Sequence, residues 1–269
     1  MDLLYAAILG AIQGLTEFLP VSSTAHLILI EKFFGLSPES FGLSFDASLH
    51  LGTLFALLIF FWRDIVKIIK NFLIVLQKKT IKTPEQRLPI VLFLATVPGA
   101  ILGILLENKI ETVFRSPTLI ALTLVLFSFV LLYVDKTGKK SRQITQITSF
   151  DGLLIGLAQA VALIPGVSRS GITLATGIWR GFTREASIRF TFLLSIPIIL
   201  GAGGKQFVTT VVSGQFVSEW QFFLVGMFFA FLSGLLTIRF LLKYLQSHSL
   251  IVFVVYRIIL GILVLFGVA

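Results

Sequence analysis

The 269-residue chain contains no cysteine. Disulfides, thiolate nucleophiles and cysteine-ligated metals are therefore excluded. Charge is also sparse: 13% of residues are Asp, Glu, Lys or Arg, against about 25% in an ordinary soluble domain. Acids are the scarcer sign, 13 against 22 bases, leaving a formal net charge of +9. No basic residue precedes Lys32, so a cleaved signal peptide with its positive leading region is not expected. Apolar residues fill the space instead. They make up 56% of the chain, 27 of them Phe, at a mean hydropathy of +0.98. That composition predicts an integral membrane protein. The many phenylalanines then read as lipid-facing and packing surface. The positive charge would suit a nucleic acid, but the bases sit between apolar runs, as in cytoplasmic loops of membrane proteins, and no nucleic-acid partner is expected.

Six stretches are long and apolar enough to cross a bilayer: 45–62, 88–107, 117–134, 186–204, 220–238 and 250–268. Each approaches the roughly 20 residues that a helix rising about 1.5 Å per residue needs. Residues 3–35 and 151–179 are different. Each consists of two short apolar pieces joined at Pro20 or at Pro165-Gly166. A kinked span would fit, but a re-entrant hairpin fits better, its non-helical tip buried in protein or lining a cavity.

Loop charge favours the hairpins. With six spans and two hairpins, the four basic loops fall on one face: Arg63 to Arg87, Lys136 to Arg142, Arg180 to Arg189, and Arg239 with Lys243. Lys32, Lys109, Arg115 and Lys205 fall on the other. Two full crossings in place of the hairpins would separate the first two loops from the last two. The positive-inside rule thus predicts hairpins, with both termini outside.

The two interrupted segments resemble each other. Aligning Gly10 with Gly156 brings Gln13 onto Gln159 and Ser22 onto Ser168, with Pro20 one position from Pro165. Ala47-Ser-Leu-His50 likewise echoes Ala186-Ser-Ile-Arg189. Each half holds one hairpin and three spans, an odd number, so the second half enters from the opposite side. The predicted architecture is an all-α integral membrane protein, a single membrane domain over 1–269. Its six transmembrane helices and two re-entrant helical hairpins form inverted repeats, 1–150 and 151–269. Inverted repeats with broken helices place a shared site near the midplane.

Ionisable groups at that depth cost roughly 2.5–3.5 kcal/mol each on insertion scales and mark function by default. Gln13 and Glu17 are four residues apart on one helical face, an oxygen-donor pair suited to a hard cation such as Mg²⁺ or Ca²⁺. The bland alternative is a buried acid paired with a distant base. Ser22, Ser23 and Thr24 stand where the next short helix starts. One hydroxyl there serves as a cap, and the helix N-terminus itself is an anion site. His26 lies one turn beyond Ser23, the arrangement of a base beside a nucleophile.

The second tip repeats this logic in Pro165-Gly-Val-Ser168-Arg169-Ser170-Gly171-x-Thr173. A guanidinium at membrane depth calls for an anionic partner, and its fork of donors matches phosphate oxygens. Gln159, Ser168, Ser170 and Thr173 join Ser22 and Thr24 as candidate substrate contacts. Asp46 and His50 are secondary candidates that could supplement the metal, orient His26 or simply sit at the interface. Arg257 reads as an ion-pair partner or a snorkelling side chain. Together these groups make a constellation for phosphoryl chemistry, and a substrate reached from the bilayer would carry its phosphate on a lipid.

The runs Gln13-x-x-x-Glu17, Glu17-Phe-Leu-Pro-Val-Ser-Ser-Thr-x-His26 and Pro165-Gly-x-Ser-Arg-Ser-Gly171-x-Thr173 resemble the bacterial undecaprenyl-diphosphatase family, the bacitracin-resistance proteins. The likeness extends over essentially the whole chain. It implies removal of the terminal phosphate of undecaprenyl diphosphate, dependent on a divalent cation, at the outer side of the bacterial plasma (inner) membrane. The product is the carrier lipid for peptidoglycan synthesis. By the same resemblance Glu17 and position 13 form the metal pair, Ser23 and His26 belong to the catalytic centre, and Arg169 contacts the diphosphate. Family members carry Glu or Gln at position 13; with Gln here, Glu17 is the one carboxylate of the pair. Whether Ser23, His26 or water attacks is left open. The competing reading is a secondary transporter or lipid flippase using the same inverted-repeat site. A Ser-x-x-His cluster argues against it, because transport needs no nucleophile. Gly201-Ala-Gly-Gly204 permits close packing within the chain or between two copies as a homodimer.

Overall fold

In the computed structural model, residues 3–36, 41–106 and 116–267 are described; Lys109 and Arg115 fall outside them. The fold is helical, and its one β-type pairing among the described residues is an isolated bridge between Arg142 and Phe182. Helices α1 (Leu3–Phe18) and α2 (Ser23–Phe33) form the first broken pair, and α7 (Ser149–Val161) and α8 (Arg169–Trp179) the second. Between them run α3 (Leu43–Phe60), α4 (Trp62–Lys78), α5 (Pro84–Leu105) and α6 (Pro117–Thr137). After them come α9 (Arg184–Val212), α10 (Gln215–Tyr244) and α11 (Ile251–Leu265). By length and composition, α5, α6, α9 and the Glu219–Tyr244 part of α10 can each cross a membrane; α3 and α11 are apolar but shorter.

One element is new relative to the sequence reading. Residues 63–78 of the first basic loop, together with Trp62 from the end of the preceding span, are the amphipathic helix α4. Its exposed apolar side carries Trp62, Ile69, Leu73 and Leu76, while Arg63, Lys67, Lys70 and Lys78 are also exposed. A search for 20-residue apolar runs passes over such a helix because only one stripe of it is apolar.

The broken pairs are anchored by partners from the other half of the chain. α1 packs along α10 and α7 along α5. Both contacts require glycine: a Cβ at Gly10 would lie 2.2 Å from the Gly226 carbonyl, and one at Gly156 would lie 2.5 Å from the Ala95 carbonyl. The core joins both halves as well, with Phe18 edge-on to Phe192 at 5.3 Å between ring centroids.

Large apolar side chains cover the outside, Phe93, Leu126, Phe129 and Leu236 among them. Much of the buried polar material instead gathers where the two helix breaks meet. At the end of the molecule that carries the basic loops, Asp151 receives hydrogen bonds from Arg142 and Arg180. Asp135 pairs with Arg184 and Asp64 with Arg189. Three loops far apart in sequence are thereby tied together.

Candidate active site at the two helix breaks

Pro20 ends α1 because proline lacks the N–H and crowds the preceding turn. The chain then turns through Ser22 at φ 74°, ψ 94°, and enters α2. The second break does the same through Ser168 at φ 72°, ψ 110°. Left-handed backbone is unfavourable for any residue with a Cβ, so both serines are held there by their surroundings.

Several contacts do the holding. Ser22 Oγ accepts from the Gly166 N–H at 3.2 Å, which joins one tip to the other. Ser170 Oγ donates to the Leu19 carbonyl at 2.9 Å. Ser168 Oγ accepts from the Gly171 N–H at 3.1 Å, capping α8, and stands 3.1 Å from Ser170 Oγ. Thr123 on α6 reaches the Pro165 carbonyl at 2.7 Å.

Arg257 contributes most. Fully buried, it donates to the carbonyls of Pro20 (3.0 Å), Gly166 (2.9 Å) and Val167 (3.3 Å) and to Ser128 Oγ (3.1 Å). The sequence reading made it an ion-pair or snorkelling residue; it is neither. Apart from Ser128, its partners are main-chain oxygens that helix breaks leave without intrahelical donors, and such partners leave no trace in side-chain spacing.

Glu17 is the hub of the side chains. Its Oε1 pairs with Arg169, and its Oε2 accepts from Ser23 Oγ at 2.6 Å and from Gln13 Nε2 at 3.0 Å. His50 Nε2 lies 3.5 Å from the same oxygen, while its Nδ1 meets the Asp46 carbonyl at 2.8 Å. A cavity of about 180 Å³ opens beside this cluster, lined by Glu17, Ser22, Ser23, Thr24, His50, Gln159, Ser168 and Arg169. The start of α2 and the start of α8 both border it. A larger cavity of about 350 Å³ lies away from both tips, around Asp64, Lys67, Glu185 and Arg189. Its charges are mixed, and Arg189 is already paired with Asp64; the smaller cavity, which both helix breaks border, is the better candidate.

Besides Gln13, four expected residues stand off the cavity wall; one is Ser170, whose hydroxyl is given to the Leu19 carbonyl. Thr173 is buried, receives a hydrogen bond from Thr191 and gives one to the Arg169 carbonyl, which ties α8 to α9. Asp46 meets the site through its main chain, by way of His50. His26 is buried, but its ring nitrogens face the Ser22 carbonyl and the Tyr256 hydroxyl, not Ser23.

The donors for a cation are few. Among the described residues no three His, Asp or Glu side chains cluster as a metal site. Gln13 Oε1, however, is buried and without a hydrogen-bond partner. A buried carboxamide oxygen with no donor is costly; Nε2 is the end that faces Glu17, and with the amide turned over, the oxygen beside that carboxylate would fit a hard cation that completes its shell with water and substrate oxygens.

A family model described as bacitracin resistance protein BacA matches residues 6–263. Many curated relatives bear the name undecaprenyl-diphosphatase. The one from Moorella thermoacetica is 44% identical over 98% of this chain and 97% of its own length. The one from Geotalea daltonii is 46% identical over 98% of each, and that from Geobacter sulfurreducens 46% over 97% of this chain and 96% of its own.

Proposed function

The chain belongs to the bacitracin resistance protein family, and from that membership we propose how its two helix breaks carry out the family's reaction. The activity is that of an undecaprenyl-diphosphatase: hydrolysis of undecaprenyl diphosphate to undecaprenyl phosphate and inorganic phosphate. The name these relatives bear does not favour the transporter reading.

The diphosphate occupies the cavity between the starts of α2 and α8. Free N–H groups at two helix N-termini attract anion charge there. Arg169 keeps further guanidinium donors beyond the one paired with Glu17, and these open a fork toward phosphate oxygens. Ser23 is the nucleophile. Its hydroxyl already donates to Glu17 Oε2 at 2.6 Å, so as Oγ attacks the terminal phosphorus its proton passes to that carboxylate. The bond from phosphorus to the bridging oxygen breaks, and undecaprenyl phosphate leaves. Water then hydrolyses the phosphoserine: the protonated Glu17 returns its proton to Ser23 Oγ as the Oγ–phosphorus bond breaks, and the water's oxygen and protons leave with the inorganic phosphate. Gln159, whose Oε1 is buried without a hydrogen-bond partner at the cavity wall, positions the substrate or this water. A Mg²⁺ or Ca²⁺ ion held by Glu17 and Gln13 Oε1 would add charge neutralisation of the phosphate oxygens.

The remaining architecture supports the inverted-repeat reading. Ser22 and Ser168 are equivalent in the Gly10–Gly156 alignment and share one backbone conformation. α1 leans on α10 as α7 leans on α5. The ion pairs that join three basic loops are what one cytoplasmic face requires. We therefore place six spans and two re-entrant hairpins in the inner membrane, with the site open to the outer side. Gly201 and Gly204 face open space, which leaves room for a second copy in a homodimer.

The Ser23–Glu17 contact carries this mechanism. Purified wild-type protein should release phosphate from undecaprenyl diphosphate when Mg²⁺ or Ca²⁺ is present, and Ser23→Ala should not. Full turnover by Ser23→Ala would remove serine as the nucleophile.

A further inference from the structure

His26 shares α2 with Ser23, yet its ring serves another part of the structure. Nδ1 lies 2.7 Å from the Ser22 carbonyl. A carbonyl can only accept, so Nδ1 carries the proton. Nε2 lies 2.6 Å from the Tyr256 hydroxyl, with the two rings stacked within 4° and 5.6 Å between centroids. A neutral imidazole satisfies both contacts, with Tyr256 donating to Nε2. No ring nitrogen is left for Ser23, whose hydroxyl is already given to Glu17.

The carbonyl that His26 holds belongs to the residue in left-handed conformation, Ser22 at φ 74°. Such a residue persists only where its neighbours over-determine it. Here they do so from both sides. Gly166 N–H holds the Ser22 side chain, and His26 holds its main chain. Tyr256 in turn holds His26, and the next residue, Arg257, holds the Pro20, Gly166 and Val167 carbonyls. Two consecutive residues of α11 thus fix the turn that delivers Ser23 to Glu17.

We propose that Tyr256 is a positioning residue for the dephosphorylation, acting with His26 as a hydrogen-bonded bracket between α11 and the Ser22 carbonyl, and that His26 works through this bracket and carries no proton for Ser23. The proposal rests on the Ser23–Glu17 reading above; phosphate release by the wild type and its loss in Ser23→Ala test that reading separately.

The bracket makes a prediction that a proton-carrying histidine does not. Glutamine offers an amide N–H to the Ser22 carbonyl and an oxygen to Tyr256, but it cannot exchange protons near neutrality. The test is kcat and KM for phosphate release from undecaprenyl diphosphate by the full-length protein in detergent, for Tyr256→Phe, His26→Gln and the double variant. Tyr256→Phe should lower kcat about tenfold, or ~1.4 kcal/mol, the size of one lost hydrogen bond, with KM little changed. His26→Gln should keep activity within about tenfold of wild type, because proton transfer by a positioned side chain is worth roughly 10²–10⁴ and none is lost. The double variant should be no worse than its poorer parent, as expected for two residues in one device. Full kcat in Tyr256→Phe, a change confined to KM, losses that multiply in the double variant, or a His26→Gln enzyme down by a thousandfold would each overturn the proposal. If Tyr256→Phe is not monodisperse on gel filtration, His26→Gln alone decides.

Discussion

Ser22 and Ser168, 146 positions apart, adopt the same left-handed turn and use their hydroxyls differently: Ser168 caps its own helix, whereas Ser22 binds the opposite tip. The two positions should therefore respond differently to substitution. Ser168→Ala loses the cap, at about 1 kcal/mol, and keeps the unfavourable φ. Ser168→Gly loses the same cap but relieves the backbone. Thermal unfolding in detergent should rank wild type above Ser168→Gly, and Ser168→Gly above Ser168→Ala. The reverse order for the two variants would mean that the turn is not strained. At Ser22 both substitutions should also lower turnover, because the contact they remove joins the two halves of the site.

Glu17 and Arg169 join the halves through charge. Glu17→Gln cannot accept the Ser23 proton, and kcat should fall by at least about 100-fold, within the range for a lost general base. Arg169→Lys keeps the charge and loses the fork, so kcat/KM should fall while some turnover persists. Arg169→Ala leaves Glu17 without its cation and should be the worst of the three. Steady-state phosphate release over a range of substrate concentrations separates these cases. Equal activity of Arg169→Lys and wild type would reduce the guanidinium to a point charge.

How far the sequence led is clearest at particular residues. Gln13, Glu17, Ser23 and Arg169 were readable because polar groups are rare at membrane depth, Gln13 and Glu17 also because their spacing shares a helical face; the structure brings all four together. The two breaks were readable from Pro20 and Pro165-Gly166. Arg257 was visible as a residue but not as a role, because it binds main-chain oxygens in three places. Tyr256 gave no signal at all, since a tyrosine in an apolar helix looks like lipid-facing surface. His26 pointed to Ser23 by helical spacing, yet rotation about the turn at Ser22 sends its ring toward α11. Local spacing fixes which residues share a helix face; it does not fix what that face meets.

The orphaned Gln13 oxygen makes a prediction for metal dependence. A chelator should abolish turnover, and excess Mg²⁺ or Ca²⁺ should restore it. Gln13→Glu adds a charged ligand beside Glu17 and should lower the cation concentration for half-maximal activity. Gln13→Ala should raise that concentration, and both variants should approach a plateau at saturating metal. If neither variant moves the midpoint, Gln13 is not a ligand.

Asp151, at the start of α7 in the basic-loop end, sets a pH limit on stability. Burial by itself would raise its pKa; hydrogen bonds from Arg142, Thr148 and Arg180 overcome that and hold the carboxyl well below the usual carboxylate range. A group depressed in the folded state stabilises the fold above its unfolded pKa, and that contribution is lost as pH falls toward the folded value. Asp151 also anchors Thr148 at the α7 N-terminus and draws the two arginines together. Asp151→Asn should therefore lower the unfolding temperature at neutral pH, where the carboxylate is fully ionised in both states. The difference from wild type should hold down to the usual carboxylate range and narrow below it, as wild type alone loses stability. Melting curves of both proteins from pH 7 to pH 3 measure that gap directly. A gap that stayed constant through the acid range would assign the effect of Asp151 to shape and packing, with no contribution from its charge.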